Sequence, residues 1–460
     1  MTTLAINWSQ VGLQAGYLLF SLSILVILHE FGHYITAKWF KCRVEKFYLF
    51  FDPWFSIFKK KIGETEYGIG WLPLGGYVKI AGMVDESMDK EQLKQPPQPW
   101  EFRSKPAWQR LIIMLAGVIM NVLLAFFIYA MILFTWGEKK LPIENVSNGI
   151  WVTDSLMFDL GLRNGDKIIA VNDQPVKYFE DIPLKILIGG KTILIERDGK
   201  KVNLNLPVNM IGQLVKKKGK RDVLLLPRVP IIIGGFDDKD TSHAKKAGLQ
   251  EFDKIVAIDS ATVSFFDEMP SLLKAKKGDT ITVSFIRNMA PMQTKVLVDT
   301  NGKIGFAILN EIQFDSIGVL KFENKKYGFL ESFPAGVKKA GGKLDDYIQQ
   351  FKLILNPKTE AYKGLGGFKA MASVFPKTGW DWQAFWNITA FFSIALAFMN
   401  LLPIPALDGG HVLFTLIEMV TGRKPSDKFL EYAQIAGMVL LFALMIFANG
   451  NDWFGWGKGR

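Results

Sequence analysis

The sequence is poor in the residues that build cysteine-based sites and histidine-rich metal clusters. Cys42 is the only cysteine, and histidine occurs four times among 460 residues. A single cysteine excludes a disulfide framework and a zinc site made of thiolates. A metal site in this chain must therefore combine a few histidines with carboxylates.

Charged residues are missing from long stretches of the chain. Ile112–Thr135 contains no Asp, Glu, Lys, Arg or His, whereas a soluble helix of that length usually has a polar face. Three further apolar segments also approach the roughly 20 residues that a spanning helix needs. We therefore predict four transmembrane helices, at Gly12–Leu28, Leu111–Trp136, Phe385–Leu402 and Ile435–Ala448.

Lysine and arginine are absent from residues 1–16 and concentrated beside the apolar segments. The net charge of +11 does not lie on a recognisable nucleic-acid module, so we expect membrane lipids and no nucleic acid as partners. The positive-inside bias places two basic loops in the cytoplasm, and both termini and residues 137–384 outside it. The basic residues of these loops are Lys38, Lys41, Arg43, Lys46, Lys59, Lys60, Lys61, Arg423, Lys424 and Lys428.

An internal repeat lies between the second and third predicted spans. Gly161–Val171 aligns with Gly248–Ile258, in the pattern Gly-Leu, turn, Asp-Lys-Ile. Two copies about ninety residues apart indicate tandem small domains, because solenoid repeats are shorter. The pattern resembles the PDZ family, which implies two α+β domains, at residues 145–208 and 225–310, that capture peptide C-termini by strand addition. The alternative is that both copies are spacers without a bound peptide.

Two further elements follow from the hydrophobic pattern. Apolar residues recur at helical spacing within residues 330–357, which predicts an amphipathic helix. Residues Tyr67–Met83, in the first basic loop, contain two strand-like segments separated by Pro73 and by glycines. We expect a hairpin there, buried in protein or lining a watery cavity if it enters the bilayer.

A short motif in the first predicted span supplies metal ligands. His29–His33 has the pattern H-E-x-x-H, which on a helix places both imidazoles on one face, one turn apart. Glu30 lies beside them as a candidate general base. The apolar run Leu18–Leu28 precedes the motif, and ionisable residues at the end of an apolar span cost several kcal/mol. Such residues are functional as a rule; the alternative is a structural polar cluster.

A third ligand is expected near the end of the third span, because catalytic zinc has three protein ligands. The charge bias places that end on the cytoplasmic side, as it does His29 and His33. The segment Asn400–His411 there contains Asp408, a candidate third ligand. His411 is an alternative ligand or a hydrogen-bond partner of one, and the residues alone leave both assignments open.

The two segments together resemble the site-2 protease family of intramembrane zinc metalloproteases. The resemblance covers nearly the whole chain and implies a polytopic α-helical membrane protein. Its parts would be four transmembrane helices, a membrane-associated β-loop and two extracytoplasmic PDZ-like α+β domains, with membrane parts at residues 1–136 and 385–460. The family motif N-x-x-P-x-P-x-L-D-G is complete here, as Asn400, Pro403, Pro405, Leu407, Asp408 and Gly409.

The resemblance also assigns roles to residues. It implies that His29, His33 and Asp408 bind Zn²⁺, that Glu30 is the general base, and that Asn400 contacts the substrate backbone. His411 is then outside the ligand set. The supporting residues implied are Gly117 and Asn121, from a G-x-x-x-N motif in the second span, and Pro403 and Pro405. An asparagine in an apolar helix is otherwise explained by an interhelical hydrogen bond.

The family's β-loop corresponds to Pro73–Lys79, where Gly75, Gly76 and Tyr77 would pair with a substrate strand. Residues Phe50–Phe55 depart from the glycine-containing run that is common in the family. The resemblance implies cleavage, in a bacterial inner membrane, of transmembrane segments of single-span proteins such as anti-sigma factors already trimmed by another protease, and of remnant signal peptides. The competing hypotheses are a PDZ scaffold with an inactive zinc site and a metal transporter.

Overall fold

The computed structural model describes residues 7–73, 75–83, 96–216, 223–237 and 242–457. The chain forms two compact units. The first, the helical unit, comprises residues 1–137, 326–355 and 361–460, and the second, the repeat unit, comprises residues 138–325 and 356–360. Each unit has its own clusters of buried apolar side chains.

The α-helices follow one another along both units. They are α1 Trp8–Trp39, α2 Ala107–Thr135, α3 Ser155–Asp159, α4 Asp181–Leu187, α5 Met210–Lys216, α6 His243–Lys246, α7 Met269–Ala275, α8 Glu311–Ser316, α9 Phe329–Leu355, α10 Phe368–Ser373, α11 Trp382–Leu401, α12 Asp408–Thr421 and α13 Asp427–Phe454. Short 3-10 helices occur at Phe102–Ser104, Ile143–Asn145, Phe266–Glu268, Pro357–Thr359 and Ala361–Gly364.

The strands divide in the same way between the two units. Those of the helical unit are β1 Val44–Leu49, β2 Phe51–Ile62, β3 Thr65–Leu72 and β4 Tyr77–Ile80. Those of the repeat unit are β5 Glu138–Lys140, β6 Ile150–Val152, β7 Lys167–Val171, β8 Gln174–Pro175, β9 Thr192–Arg197, β10 Lys200–Asn205, β11 Leu225–Pro227, β12 Ile233–Phe236, β13 Lys254–Ile258, β14 Ala261–Thr262, β15 Thr280–Arg287, β16 Ala290–Leu297, β17 Phe306–Ile308 and β18 Glu323–Lys325.

Four helices of the helical unit, α1, α2, α11 and α13, are long and apolar enough to cross a membrane. Only 11 to 44% of the most apolar window of each is buried within the protein. Apolar side chains such as Leu123, Phe127 and Phe442 are about half exposed. A helix that is apolar on its exposed side requires lipid around it. The four predicted spans are therefore confirmed as candidate membrane helices.

Helix α2 is the centre of the helical unit and packs against α1, α9, α11 and α12. The predicted amphipathic helix is present as α9, and Tyr347 on it packs edge-on against Phe391 and Phe398 of α11. The third span was predicted to end at Leu402, which is within one residue of the observed end of its helix. Helix α11 ends at Leu401, and a separate helix α12 begins at Asp408, because Pro403 and Pro405 interrupt the chain between them.

The predicted β-loop belongs to a four-stranded sheet with the order β2-β3-β1-β4. The expectation of a hairpin within Tyr67–Met83 is wrong, because β3 and β4 do not pair with each other. Strand β1 lies between them, parallel to β3 and antiparallel to β4. Leu74 of the predicted loop lies outside the described residues. The order leaves β4 at one edge of the sheet and β2 at the other.

The two copies in the repeat unit have the same architecture. Each has a four-stranded sheet, β8-β7-β9-β10 in the first copy and β14-β13-β15-β16 in the second, and a two-stranded ribbon, β6-β11 and β12-β17. Asp166 accepts two hydrogen bonds from Arg197, and Asp253 accepts two from Arg287, all at 2.6–2.7 Å. The internal repeat predicted from the sequence is thus present in the structure, down to a matching ion pair between a buried aspartate and a partly exposed arginine.

Candidate active site

Helix α1 brings its H-E-x-x-H segment directly against α2. A Cβ atom at Gly32 would lie 2.5 Å from the carbonyl oxygen of Ala116, so glycine is what allows this close approach. His29 and His33 are both buried at the contact between the two helices. The glycine inside the motif therefore sets the depth at which both imidazoles lie in the helical unit.

Three ligand atoms from two distant parts of the sequence meet at this contact. The Nε2 atoms of His29 and His33 are 3.3 Å apart. Oδ2 of Asp408 lies 3.2 Å from the first and 3.4 Å from the second. The three atoms thus form a nearly equilateral triangle, and the three residues could hold one metal ion.

The triangle has the dimensions of one face of a zinc coordination tetrahedron. Bonds of about 2.0–2.1 Å at tetrahedral angles place neighbouring ligand atoms about 3.3–3.4 Å apart. In addition, Oδ2 of Asp408 is buried and accepts no hydrogen bond from the described residues. A buried carboxylate oxygen without a donor is costly unless a cation balances it. Two imidazoles, one carboxylate and this geometry fit Zn²⁺.

The outer nitrogens of both imidazoles contact α2. Nδ1 of His33 donates to the carbonyl oxygen of Ile113 at 2.8 Å, which leaves Nε2 free of hydrogen and facing the cluster. Nδ1 of His29 lies 3.2 Å from the side-chain amide of Asn121. Asn121 is fully buried, and Ser393 of α11 donates to its backbone carbonyl at 2.7 Å.

Gly117 lies on α2 directly beneath the two imidazoles. A Cβ atom at this position would lie 2.3 Å from Nε2 of His33 and 2.6 Å from Cε1 of His29. Both distances are far below van der Waals contact. The glycine of the G-x-x-x-N motif therefore makes room for the rings, while its asparagine contacts one of them.

Asp408 reaches the cluster from the first turn of α12, after the two prolines. A Cβ atom at Gly437 of α13 would lie 1.6 Å from the carbonyl oxygen of Pro405, so the proline turn packs on α13 with no gap. The backbone N–H of Ala406 donates to Oε1 of Gln434, a buried side chain of α13, at 3.1 Å. Helix α13 thus fixes the turn that delivers the carboxylate.

Glu30 faces the edge of the sheet. Its carboxylate lies near the backbone N–H of Val78 in β4. A Cβ atom at Gly76 would lie 2.7 Å from Val26 and 3.5 Å from Cγ of Glu30. Because Gly76 has no side chain, β4 can approach α1 beside the metal-binding cluster.

Tyr77 is occupied by contacts within the sheet. Its phenol donates to Oδ1 of Asp52 at 2.8 Å, and its ring stacks on Tyr48 and Phe51. Burial raises the pKa of Tyr48 to about 12 and also raises the pKa of Tyr77, so both phenols stay protonated. Asp52 belongs to the segment that departs from the family pattern, and here it ties β2 to β4.

The two remaining polar residues of the Asn400–His411 segment differ in position. The amide nitrogen of Asn400 lies 3.1 Å from Nε2 of His29, next to the triangle of ligand atoms. His411 lies one turn after Asp408 on α12 and is not part of the metal-binding cluster found among the described residues. The structure thus brings His29, His33, Asp408, Asn121 and Asn400 together and leaves His411 out.

The family model for peptidase family M50 matches residues 17–444. This chain belongs to the M50 family, the site-2 proteases. It is 28% identical to a protein of Treponema pallidum, covering 94% of this chain and 96% of the relative. It is 30% identical to a protein of Rickettsia conorii, covering 94% and 96%. Both relatives are named as candidate zinc metalloproteases.

Membership of the M50 family identifies the chain as a zinc metallopeptidase of the membrane. The sequence motifs did not identify several residues that build this M50 site. Gln434 could have been noticed as a polar residue directly before the fourth predicted span, since polar residues beside apolar spans often serve function. Gly437, the Ile113 carbonyl and the Val78 N–H leave no such signal, because backbone groups and small residues are ordinary in membrane helices and strands.

Proposed function

We propose that the chain is an intramembrane protease in which His29, His33 and Asp408 bind one Zn²⁺ and Glu30 is the general base. The observation that carries the proposal is the 3.2–3.4 Å triangle of ligand atoms. Two of the three ligands lie on α1, which is apolar enough to span a membrane. Polar groups at such a depth serve function as a rule. The three ligands also favour a catalytic zinc site over a structural one, since three protein ligands leave one coordination position open for water or substrate.

We infer that the amide of Asn121 orients His29. If Nε2 of His29 binds the metal, its Nδ1 carries a hydrogen and needs an acceptor. Oδ1 of Asn121 is buried without a partner, while the amide nitrogen faces Nδ1. Amide oxygen and nitrogen are interchangeable by rotation. With Oδ1 turned toward His29, both groups are satisfied and the imidazole is held in the metal-binding tautomer.

The chemistry that bound zinc supplies is a lowered pKa of a coordinated water, toward about 7, and polarisation of the scissile carbonyl. Glu30 takes a proton from the attacking water and returns a proton to the leaving amine. Asn400, beside the cluster, donates its amide to the substrate backbone. Pro403 and Pro405 hold the turn before Asp408, so that the carboxylate is in place before substrate arrives.

The edge of β4 is the proposed docking position for the substrate. Among the described residues, no strand pairs with the outer edge of β4. A transmembrane helix must unwind before its peptide bonds can be attacked, and pairing with an open edge satisfies the freed backbone groups. The backbone at Gly75, Gly76 and Tyr77 would contact the substrate, because the phenol of Tyr77 is already bound to Asp52.

We propose that the two repeats are PDZ-like domains, predicted at residues 145–208 and 225–310. Strand β11, at Leu225–Pro227, pairs with β6 and is therefore assigned to the first domain. Strands β11 and β17 each pair on one side only among the described strands, which supports strand addition by a peptide C-terminus. In the alternative role the repeats bind no peptide and limit the size of the substrate's outer part. Binding of C-terminal peptides to the full chain distinguishes the two roles.

The proposed location is a bacterial inner membrane, with both termini and the repeats outside the cytoplasm. The basic loops beside α1 and α13 support this orientation. The proposed substrates are single-span proteins already trimmed on their outer side, including anti-sigma factors, and remnant signal peptides. The layout of repeats and spans, which resembles the protease that regulates sigma-E in Gram-negative bacteria, supports this substrate class.

Removal of metal tests the proposed activity. We expect the purified chain, reconstituted with a membrane-embedded single-span substrate, to cleave it within the apolar segment. A chelator should abolish cleavage, and added Zn²⁺ should restore it, because the proposed mechanism requires the ion. Chelator-resistant cleavage would contradict the proposal. Zinc flux into proteoliposomes without any cleavage would instead favour a transporter, and peptide binding without cleavage would favour a scaffold.

A further inference from the structure

Strands β2 and β3 form a ribbon, residues 51–72, with large apolar side chains on its exposed surface. Trp54 is 91% exposed, and Phe55, Ile57, Phe58 and Ile62 are all more than half exposed. Strand β2 is an edge strand of its sheet. In water, a long apolar edge strand is an aggregation site. The ribbon therefore requires an apolar environment.

The same ribbon carries three consecutive lysines, Lys59, Lys60 and Lys61, all exposed between Phe58 and Ile62. Glu66 lies opposite Lys61 in the strand register and accepts a hydrogen bond from Tyr48 at 2.7 Å. The turn that follows contributes one exposed acidic residue. The end of the ribbon thus keeps a net positive charge beside its apolar side chains.

The open edge of β2 excludes the centre of the bilayer. Backbone N–H and C=O groups without a partner cost several kcal/mol each in hydrocarbon, and no described strand pairs with the outer edge of β2. The membrane–water interface offers both an apolar environment for the side chains and hydrogen-bond partners for the open backbone edge. Aromatic rings are enriched there, and water or headgroups can bond the open backbone.

The contact between the ribbon and α1 places the ribbon at the membrane–water interface. The phenol oxygens of Tyr34 on α1 and Tyr67 on β3 are 2.6 Å apart. Tyr34 follows His33 directly, and α1 ends five residues later at Trp39, which is 78% exposed. An exposed tryptophan at the end of an apolar helix marks the interface. The ribbon therefore leaves α1 where α1 leaves the membrane.

We propose that the β2–β3 ribbon binds anionic phospholipid headgroups through Lys59, Lys60 and Lys61, with its aromatic side chains in the interface. Each lysine near an anionic surface favours the bound state by about fivefold. The ribbon is continuous, through β1, with β4 beside Glu30. Lipid bound at the ribbon therefore holds the sheet beside the metal-binding cluster.

A fluorophore on the ribbon tests the proposal in the full-length chain. Cys42 is the only cysteine, so a Cys42→Ala, Ile57→Cys variant carries one environment-sensitive label. The labelled protein is placed in nanodiscs of phosphatidylcholine and phosphatidylglycerol, in which one lipid or the other is brominated at equal mole fraction. We expect the emission of the label to be blue-shifted relative to its emission in water. We also expect quenching by brominated phosphatidylglycerol to be several-fold stronger than quenching by brominated phosphatidylcholine.

The lysines are tested by substitution and by salt. Lys59→Gln, Lys60→Gln, Lys61→Gln should remove the preference for phosphatidylglycerol, whereas the matched control Lys274→Gln, Lys276→Gln, Lys277→Gln in the repeat unit should keep it. With all lysines present, an ionic strength of about 1 M, where the screening length is about 3 Å, should also remove it. Equal quenching by both lipids at low salt, or a preference that survives salt, would overturn the proposal.

Discussion

Replacing Glu30 with glutamine should lower peptide-bond cleavage by about 10³-fold or more, since a positioned general base contributes on that scale. Glutamine has nearly the same shape and cannot take a proton from water. Zinc content should not change, because the carboxylate of Glu30 is outside the His29, His33 and Asp408 cluster. Cleavage of a membrane-embedded substrate and zinc per chain are measured on the same preparation.

The matched control for Glu30→Gln is Glu64→Gln, in the exposed turn between β2 and β3. The control removes the same charge outside the site, so cleavage by it should equal that of the wild type. If the Glu30→Gln variant cleaved the substrate at the wild-type rate, another group would have to accept the proton. Loss of zinc from Glu30→Gln would show that the glutamate belongs to the ligand set, against the proposed roles.

Replacing Gly117 with alanine should weaken zinc binding by about 100-fold, the upper end of what loss of a supporting contact causes. The added methyl group would lie 2.3 Å from Nε2 of His33, so at least one imidazole must move from its place. Helix propensity alone predicts that the substitution stabilises the fold, because alanine favours a helix over glycine by about 1 kcal/mol. A loss of zinc affinity would therefore come from the contact with the imidazoles and not from a weaker helix. Competition with a chelator of known affinity measures the zinc dissociation constant.

Gly16→Ala in α1 is the control for Gly117→Ala. It is the same substitution in an apolar helix, at a position where the new Cβ atom would meet nothing within 4 Å. Its zinc affinity should equal that of the wild type. If Gly117→Ala bound zinc with unchanged affinity, the imidazoles could not lie over Gly117 as the structure has them.

The sequence predicted the parts of this protein that depend on composition and short spacing. The run without charge in α2 and the H-E-x-x-H pattern in α1 each follow from local rules of helix periodicity and membrane solvation. The encounter of α1 with the segment around Asp408 followed from the charge bias, which put both on one side of the membrane. The internal repeat was visible because its turn residues recur in order.

The strand order β2-β3-β1-β4 could not be predicted from composition and short spacing. Strand β1, with the sequence Val-Glu-Lys-Phe-Tyr-Leu, has no clear alternation, and its parallel pairing with β3 depends on a crossover that no local signal announces. Helix α12 has 14 residues, too few to span a membrane, so hydropathy did not separate it from the loop. The support of Pro405 by Gly437 is a packing contact between distant residues, and one sequence does not record such contacts.

The central claim is that His29, His33 and Asp408 bind one zinc ion, and zinc K-edge X-ray absorption of the purified chain tests it most directly. We predict about one zinc ion per chain, with two imidazoles and one carboxylate oxygen at about 2.0–2.1 Å. Asp408→Ala should lose most of the metal, while His243→Gln, in the repeat unit and outside the cluster, should keep it. An Asp408→Ala protein with full zinc content and an unchanged spectrum would contradict the claim.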